Sequence, residues 1–359
     1  MKNEIIYNCH IHTFTEQDVP RDFLPLGLVR LLATKVGYKF VTSLLKTFNF
    51  ISSEDQFKKY AQFASIGKLD SQEEIFLNCA KYYPEDTKFI ILAVDMRYMN
   101  AGKIPRDYDR QLKELENLYF AYPDRIIPFV HIDPNNPLTH YIEDELNEKY
   151  WIKGIKIYPP IGHYPNDKRL TRLYNYCENF NLPIIAHCGP ISPTHNKSSK
   201  KDICKLLNIP YDKEAKKLSK MELCAKFAHP KNYIPILEQF PNLKICLAHW
   251  GSEISWQGYM ENPNDNTNWL YDINEMMRKY PNLYTDVSFS LNNTEYFSVL
   301  KILLLDEKIR ERVLFGSDYY MVQTATSEKT FSMDLRAYLG EDLWKQISNT
   351  NPKRFLNEK

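Results

Sequence analysis

Short apolar runs and amphipathic segments alternate along most of this chain of 359 residues. The runs are rich in Ile, Val, Leu and Phe, which is typical of strands buried on both faces. The segments between them carry apolar residues three or four positions apart, which is typical of helices packed on one face. Counting one run at the start of the chain, we predict eight strands. They cover residues 4–9, 88–96, 125–133, 151–158, 182–188, 243–250, 283–288 and 312–318.

The amphipathic segments predict helices between the strands. Repeated strand–helix units with apolar strands indicate a parallel sheet, and eight units close a (β/α)8 TIM barrel. The alternative is an open, doubly wound sheet, which would require a glycine-rich phosphate-binding turn after the first strand, and the sequence has none there. We therefore predict an α/β protein with one barrel domain over residues 1–359. The predicted helices cover residues 71–83, 107–122, 138–150, 168–179, 230–240, 272–280, 295–308, 327–339 and 341–348.

Two stretches interrupt the alternation and predict helical insertions after strands one and five, at about residues 13–87 and 191–229. Within the first, residues 21–50 are rich in Leu, Val and Phe with Lys and Arg interspersed, which predicts one or two helices packed on the body of the protein. A lid over the site, a subunit contact and a basic amphipathic helix on a membrane surface are the alternatives. The second insertion is rich in lysine and predicts a surface excursion.

Charge and composition argue against nucleic-acid binding and against a membrane span. With 46 Lys and Arg against 45 Asp and Glu, bulk electrostatics give no support for nucleic-acid binding. No uncharged apolar window approaches the roughly 20 residues of a membrane span, so we expect none. The N-terminus lacks the pattern of a signal peptide, and the seven scattered cysteines read as reduced thiols. These features lead us to expect a cytoplasmic protein.

Polar residues stand where several apolar runs stop. In TIM barrels the active site forms at the C-terminal ends of the strands. His10 and His12 end strand one and are two positions apart, so both would project to the same side. His187 ends strand five, His249 ends strand six and Asp318 ends strand eight. The sequence therefore predicts that these side chains meet at one mouth of the barrel.

Imidazoles and a carboxylate are suitable ligands for a divalent transition metal such as zinc, with a position left open for water. Lys156 lies near the end of strand four. His163, in the loop that follows, could face a substrate. We interpret His131 as a structural residue or a residue outside the ligand set. The remaining histidines, which we expect at the surface or in packing contacts, are His140, His195 and His229.

Five segments, in this order and spacing, resemble the signature of the amidohydrolase superfamily, in the branch related to aminocarboxymuconate-semialdehyde decarboxylase. The resemblance spans most of the chain, and the two insertions fall outside it. The segments are His10-x-His12, GIKIYPP at 154–160, LPIIAHCG at 182–189, FPNLKICLAHWG at 240–251 and VLFGSD at 313–318.

The resemblance implies a metal-dependent barrel, usually with zinc, and in this branch usually with one ion per chain. It implies His10, His12, His187 and Asp318 as metal ligands, and His249 as a base beside the metal-bound water. In binuclear relatives a lysine on strand four is carboxylated and bridges two metal ions. For Lys156 this role, contact with an anionic substrate and a structural ion pair all stay open.

We consider two enzymatic functions and, as a third hypothesis, a non-enzymatic function. The first is a hydrolase that cleaves a C–N or C–O bond of a small carboxylate, amide or lactone with metal-activated water, with His249 and Asp318 moving protons. The second is a non-oxidative decarboxylase of an aromatic or unsaturated acid. The third is a catalytically inactive barrel kept for binding.

Specificity is expected to lie in the loops, where the resemblance is weakest. We expect a small-molecule substrate, and a homodimer because oligomers are common in the resembled family. The residues predicted to line the substrate pocket are Arg97, Lys156, His163, Trp250 and Tyr319.

Overall fold

The computed structural model of this chain describes residues 4–23, 65–136, 146 and 148–358. Its eight strands form one sheet in sequence order, and each strand pairs in parallel with the next. The strands are β1 Tyr7–Ile11, β2 Lys88–Leu92, β3 Ile126–His131, β4 Gly154–Ile157, β5 Ile184–His187, β6 Ile245–Ala248, β7 Leu283–Asp286 and β8 Val313–Leu314.

The last strand meets the first and nearly closes the sheet. The Cys9 amide donates a hydrogen bond to the Phe315 carbonyl at 2.8 Å, and the Asp318 amide donates one to the His10 carbonyl at 2.7 Å. A doubly wound sheet would leave its edge strands apart, so this closure and the sequential strand order confirm the predicted TIM barrel.

Helices follow the strands around the outside of the barrel. Two predicted helix starts carry the expected caps: the Ser71 side chain accepts from the Glu74 amide, and the Asp107 side chain accepts from the Arg110 amide. The described α-helices are α1 Gln72–Ala80, α2 Tyr108–Ala121, α3 Thr171–Asn179, α4 Lys200–Leu206, α5 Lys213–Lys217, α6 Lys220–Ala225, α7 Ile234–Gln239, α8 Ser252–Glu261, α9 Trp269–Lys279, α10 Phe297–Leu303, α11 Glu307–Arg310, α12 Tyr319–Ala325, α13 Glu328–Leu339, α14 Glu341–Lys345 and α15 Asn351–Leu356.

Apolar side chains form two main layers. The barrel interior holds a cluster that includes Ile90, Phe129, Ile185 and Leu314, and a larger cluster fills the space between the sheet and the helices. The insertion over residues 191–229 contains α4, α5 and α6, which pack around a small core of their own. This insertion is therefore helical, as predicted.

A one-residue irregularity in β1 directs its C-terminal side chains. Asn8 pairs with Phe89 and Ile11 with Ile91, so three steps along β1 match two along β2. Such a bulge changes which side chains face inward, and bulges are frequent beside active sites. Cys9 belongs to the interior cluster, and the bulge then allows the next residue, His10, to reach the barrel mouth as well.

Some predictions lie outside the described residues. They are the helices within residues 24–50, most of the predicted helix at 138–150, and His140. No helix in the described part of the chain combines the length and the apolar character that crossing a bilayer requires. Helix α8 was not predicted, because its sequence reads as part of a polar loop.

Candidate metal centre

Three buried side chains meet at the barrel mouth. One ligand atom from each of His10, His249 and Asp318 lies within 4.8 Å of the other two. The ring centroid of His12 is 5.3 Å from that of His10, and the ring centroid of His187 is 4.8 Å from that of His249. All five side chains that the sequence placed at strand ends are therefore neighbours. The tightest group includes His249, for which the resemblance implies the role of a base.

Two of these residues have an unusual backbone conformation. The φ angles of His249 and Asp318 are 68° and 56°, in the left-handed region that residues with a side chain seldom adopt. His249 directly follows β6, and Asp318 lies between β8 and α12; at both places the chain turns into a helical segment. Backbone strain of this kind concentrates at functional sites, where the surrounding structure holds it in place.

Hydrogen bonds at Nδ1 set the tautomers of His10, on β1, and of His12, which directly follows β1. His10 Nδ1 lies 2.8 Å from Asp286 Oδ2, and His12 Nδ1 lies 2.8 Å from the Leu92 carbonyl oxygen. Both partners are acceptors, so Nδ1 carries the proton in each ring. The Nε2 atoms of His10 and His12 are thereby left with the lone pairs that a cation requires.

His249 is oriented by the same carboxylate through a serine. The His249 amide donates to Asp286 Oδ1 at 2.8 Å, and the Ser288 hydroxyl also donates to Asp286 Oδ1. The Ser288 oxygen can therefore accept from His249 Nδ1, which is 2.9 Å away. This leaves Nε2 of His249 free to take a proton.

Sequence reasoning assigned no role to Asp286 and Ser288. Both lie where β7 ends, and they share the signal that identified the other candidates: polar residues where an apolar strand stops. Their neighbours Thr285 and Ser290 are polar as well, which made the signal harder to recognise in the sequence.

We call the five neighbouring side chains of His10, His12, His187, His249 and Asp318 the cluster. Burial controls their charge. It lowers the pKa of His10, His12 and His187 well below the usual value, and that of His249 to about 3. It raises the pKa of Asp318 to about 8. Neutral imidazoles are the form that binds a metal, and a divalent cation would in turn favour the charged form of the carboxyl group.

The cluster has the unsatisfied atoms that a cation would occupy. His10 Nε2 and both ring nitrogens of His187 are buried and have no hydrogen-bond partner among the described residues. A buried polar atom without a partner costs stability. The residues present therefore fit a divalent metal ion.

Lys156 lies beside this centre. Its Nζ atom is buried and has no hydrogen-bond partner in the described part of the chain. Burial lowers its pKa to about 8, and the negative charges of Asp286 and Asp318 partly oppose this. The role of Lys156 toward a metal or a substrate stays a prediction.

Three other predicted substrate residues have partners of their own. Arg97 binds Asp95 through two nitrogens, with Nη2 2.7 Å from Oδ2. His163 Nε2 lies 4.0 Å from a carboxylate oxygen of Asp133. The Trp250 indole nitrogen donates to the Asn274 side chain at 2.9 Å.

Tyr319 is buried at the start of α12. Its contact with a substrate also stays a prediction. Of the histidines outside the cluster, His131 is buried and accepts a hydrogen bond from the Asp95 amide at 2.9 Å. His195 and His229 are half-buried.

A cavity of about 150 Å³ adjoins the cluster. Its wall includes His12, His187, His249 and Asp318. Apolar and aromatic side chains make up much of the rest, among them Phe14, Phe23, Tyr158, Phe289 and Tyr320. Any molecule in this cavity would lie between an apolar surface and the candidate metal ligands.

A profile of the family described as Amidohydrolase matches residues 99–357. The chain belongs to the amidohydrolase family. The predicted resemblance to the branch related to aminocarboxymuconate-semialdehyde decarboxylase is confirmed, and the chain is an enzyme of this metal-dependent superfamily. No curated protein matches it.

Solved structures share the fold across almost the whole chain. An uncharacterised TIM-barrel protein from Bordetella bronchiseptica is 15% identical, with a TM-score of 0.57 over 98% of both chains. A 5-carboxyvanillate decarboxylase from Sphingomonas paucimobilis is 15% identical, with a TM-score of 0.55 over 99% of this chain and 100% of that one. The 5-carboxyvanillate decarboxylase from Novosphingobium aromaticivorans, complexed with manganese and 4-hydroxy-3-methoxy-5-nitrobenzoic acid, is 15% identical, with a TM-score of 0.57 over 99% and 96%.

Proposed function

We propose that this amidohydrolase-family enzyme is a metal-dependent, non-oxidative decarboxylase of a small aromatic or unsaturated ring acid. The observation that carries the proposal is the cavity of about 150 Å³, whose wall combines aromatic side chains with the cluster. The space that the described residues enclose is about the size of one small ring. Cleavage of an open-chain amide or ester leaves two fragments in the cavity, whereas decarboxylation leaves one ring and the small molecule CO2. The two decarboxylases with the same fold support this choice.

In this proposal His10, His12, His187 and Asp318 hold one divalent ion, zinc or manganese. The free Nε2 lone pairs of His10 and His12 and the unpartnered nitrogens of His187 support the assignment. A divalent ion bound there would supply Lewis acidity toward the oxygens of a substrate. Asp286 positions His10 through the hydrogen bond at Nδ1.

The chain's own residues then provide enclosure and a proton. The aromatic wall holds the ring and excludes water, while the substrate carboxylate lies toward the cluster. When the bond between the ring carbon and the carboxylate breaks, the electron pair stays on the ring carbon and CO2 leaves. The ring carbon must then receive a proton. Asp318 and His249 line the cavity and can both carry one.

Hydrolysis of a lactone is the second candidate, because a lactone also occupies the volume of a single ring and yields a single product. His249 Nε2 would accept the proton of the attacking water. This reaction releases an acid and no CO2, so the products distinguish the two functions.

The test is to load the protein with zinc or with manganese and incubate it with panels of benzoates and of small lactones. We expect CO2 from at least one ring acid, and none from the His10→Ala variant, which should also lose the metal. Acid release from a lactone without CO2 would establish the hydrolase instead. A metal-saturated protein that releases neither product would contradict both and support the inactive barrel.

A further inference from the structure

The described wall of the cavity beside the cluster contains acidic side chains but no lysine or arginine. Apart from histidines and tyrosines, its ionisable side chains are the two carboxyl groups of Glu253 and Asp318. The wall contains no lysine or arginine among the residues that the structure describes. An acid bound at the centre would therefore meet no cationic side chain from these residues elsewhere in the cavity.

The two carboxyl groups occupy different parts of the cavity wall. Asp318 belongs to the group of candidate ligands, and Glu253 does not. Glu253 lies in the first turn of α8, four residues after His249, and is half-buried. No hydrogen bond or ion pair joins its side chain to another part of the described chain, unlike the paired carboxylates of Asp95 and Asp286. Its carboxyl group is thus available to a molecule in the cavity.

We propose that Glu253 sets the substrate class of this cavity. The substrate is a ring acid with one carboxylate, held at the cluster, and with a hydrogen-bond donor such as a hydroxyl or amino group as its second substituent. A ring acid with a second carboxylate is excluded. This inference rests on the proposed function, since it takes the cluster as the place where the first carboxylate binds.

The physical basis is the low polarity of the surroundings. Beside apolar and aromatic walls such as Phe289 and Tyr320, charges interact more strongly than in water. A second carboxylate would be stripped of water next to Glu253 and repelled by it. A hydroxyl or amino group would instead donate to it, and hydrogen bonds with one charged partner are the stronger kind.

The experiment measures binding and turnover separately on the metal-loaded protein. Calorimetry compares the meta and para isomers of hydroxybenzoate and aminobenzoate with isophthalate and terephthalate, which are the matched dianions. CO2 release is recorded for the same set. The variants are Glu253→Gln, which removes the charge, and Glu253→Arg, which reverses it. Glu261→Arg is the matched control, because this exposed glutamate is on the same helix but not in the cavity wall.

We expect the wild type to bind the donor-substituted acids about tenfold or more tightly than the dianions. Glu253→Gln should reduce this preference, Glu253→Arg should reverse it, and Glu261→Arg should leave it unchanged. Dianions that bind as well as the other acids, or a preference that neither Glu253 variant alters, would overturn the inference. If the acids bind in the predicted order of affinity but none releases CO2, the proposed decarboxylase function is refuted and the proposed role of Glu253 in binding stands. If no ring acid binds at all, both proposals fail.

Discussion

The carboxylate of Asp286 lies 2.8 Å from Nδ1 of His10, and both side chains are fully buried. This contact fixes the proton on Nδ1 and makes Nε2 the atom that can bind a metal. The same carboxylate accepts from the amide of His249, so one side chain on β7 positions His10 on β1 and His249 directly after β6. Such supporting contacts govern how tightly a metal is held.

Replacing this carboxylate by its amide should therefore weaken metal binding. We expect Asp286→Asn to lower metal affinity about 10- to 100-fold while the protein stays folded. Titration against a chelator of known affinity measures the change. Asp272→Asn is the control, because Asp272 is also buried but pairs with Lys231 at 3.0 Å. Equal metal affinity in the Asp286 variant and the wild type would show that the contact has no role in binding.

The close approach of β8 to His10 gives a second prediction. A Cβ atom on Gly316 would lie 2.6 Å from the Cβ of His10, which is too close for two carbon atoms. We expect Gly316→Ala to lose about 1–3 kcal/mol of stability and to bind the metal more weakly, because His10 must move. Gly67→Ala is the control, since its nearest neighbour would be 3.7 Å away. Urea unfolding measures the stability and metal titration measures the affinity. Equal stability and equal metal affinity in the two variants would contradict the prediction.

The sequence was sufficient to predict the barrel fold and to place the five side chains of the cluster at the ends of strands. Strands buried on both faces leave a strong apolar signal, and polar residues at their ends stand out against it. Ile185, for example, is two positions before His187, so both side chains point to the same side of β5, and Ile185 lies in the interior cluster. The family match supports the same assignment of the fold.

The remaining features depend on contacts that no local pattern reveals. The bulge in β1 arises from pairing with β2, and Asp286 acquires a role only when the barrel brings β7 next to β1. The left-handed conformations of His249 and Asp318 likewise depend on tertiary structure. Helix α8 begins with residues common in loops, so its sequence pattern was misleading and Glu253 was overlooked as part of the cavity wall.

A third prediction concerns the buried acid Glu328 on α13. Its side chain accepts from the hydroxyl of Tyr83 at 2.6 Å and from Asn8 Nδ2 at 3.4 Å, and burial raises its pKa to about 7. Between its usual pKa of 4.5 and about 7, the folded protein holds a proton that the unfolded chain has released. Stability should therefore fall as pH rises through this window.

Glu328→Gln removes the ionisation and should remove this part of the pH dependence. The variant should gain stability relative to the wild type as the pH rises from the acidic end of the window to above it. Urea unfolding at several pH values gives the measurement. Glu341→Gln is the control: Glu341 is exposed and its pKa is lowered, chiefly by the hydrogen bond from Arg336. A wild type and a Glu328 variant with parallel pH profiles would contradict the prediction.

The last prediction concerns His249, whose position permits two roles. It belongs to the group of ligand atoms within 4.8 Å of one another, so it could hold the metal. Its Nδ1 faces Ser288 and its Nε2 is free, so it could carry a proton instead. We predict the second role, because the four proposed ligands, His10, His12, His187 and Asp318, would be sufficient to hold the ion without His249. The His249→Asn variant should then keep the metal and lose roughly two to four orders of magnitude in turnover, the usual size of a general acid–base contribution.

Metal content and turnover must be measured on one preparation, with His229→Asn as the control because His229 packs against Trp269 away from the cluster. Loss of the metal from His249→Asn would make His249 a ligand, and the tight group with His10 and Asp318 would then be the coordination site itself. A variant with metal and near-normal turnover would make His249 a structural residue. Asp318 would in that case be the only group of the cluster left to carry the proton.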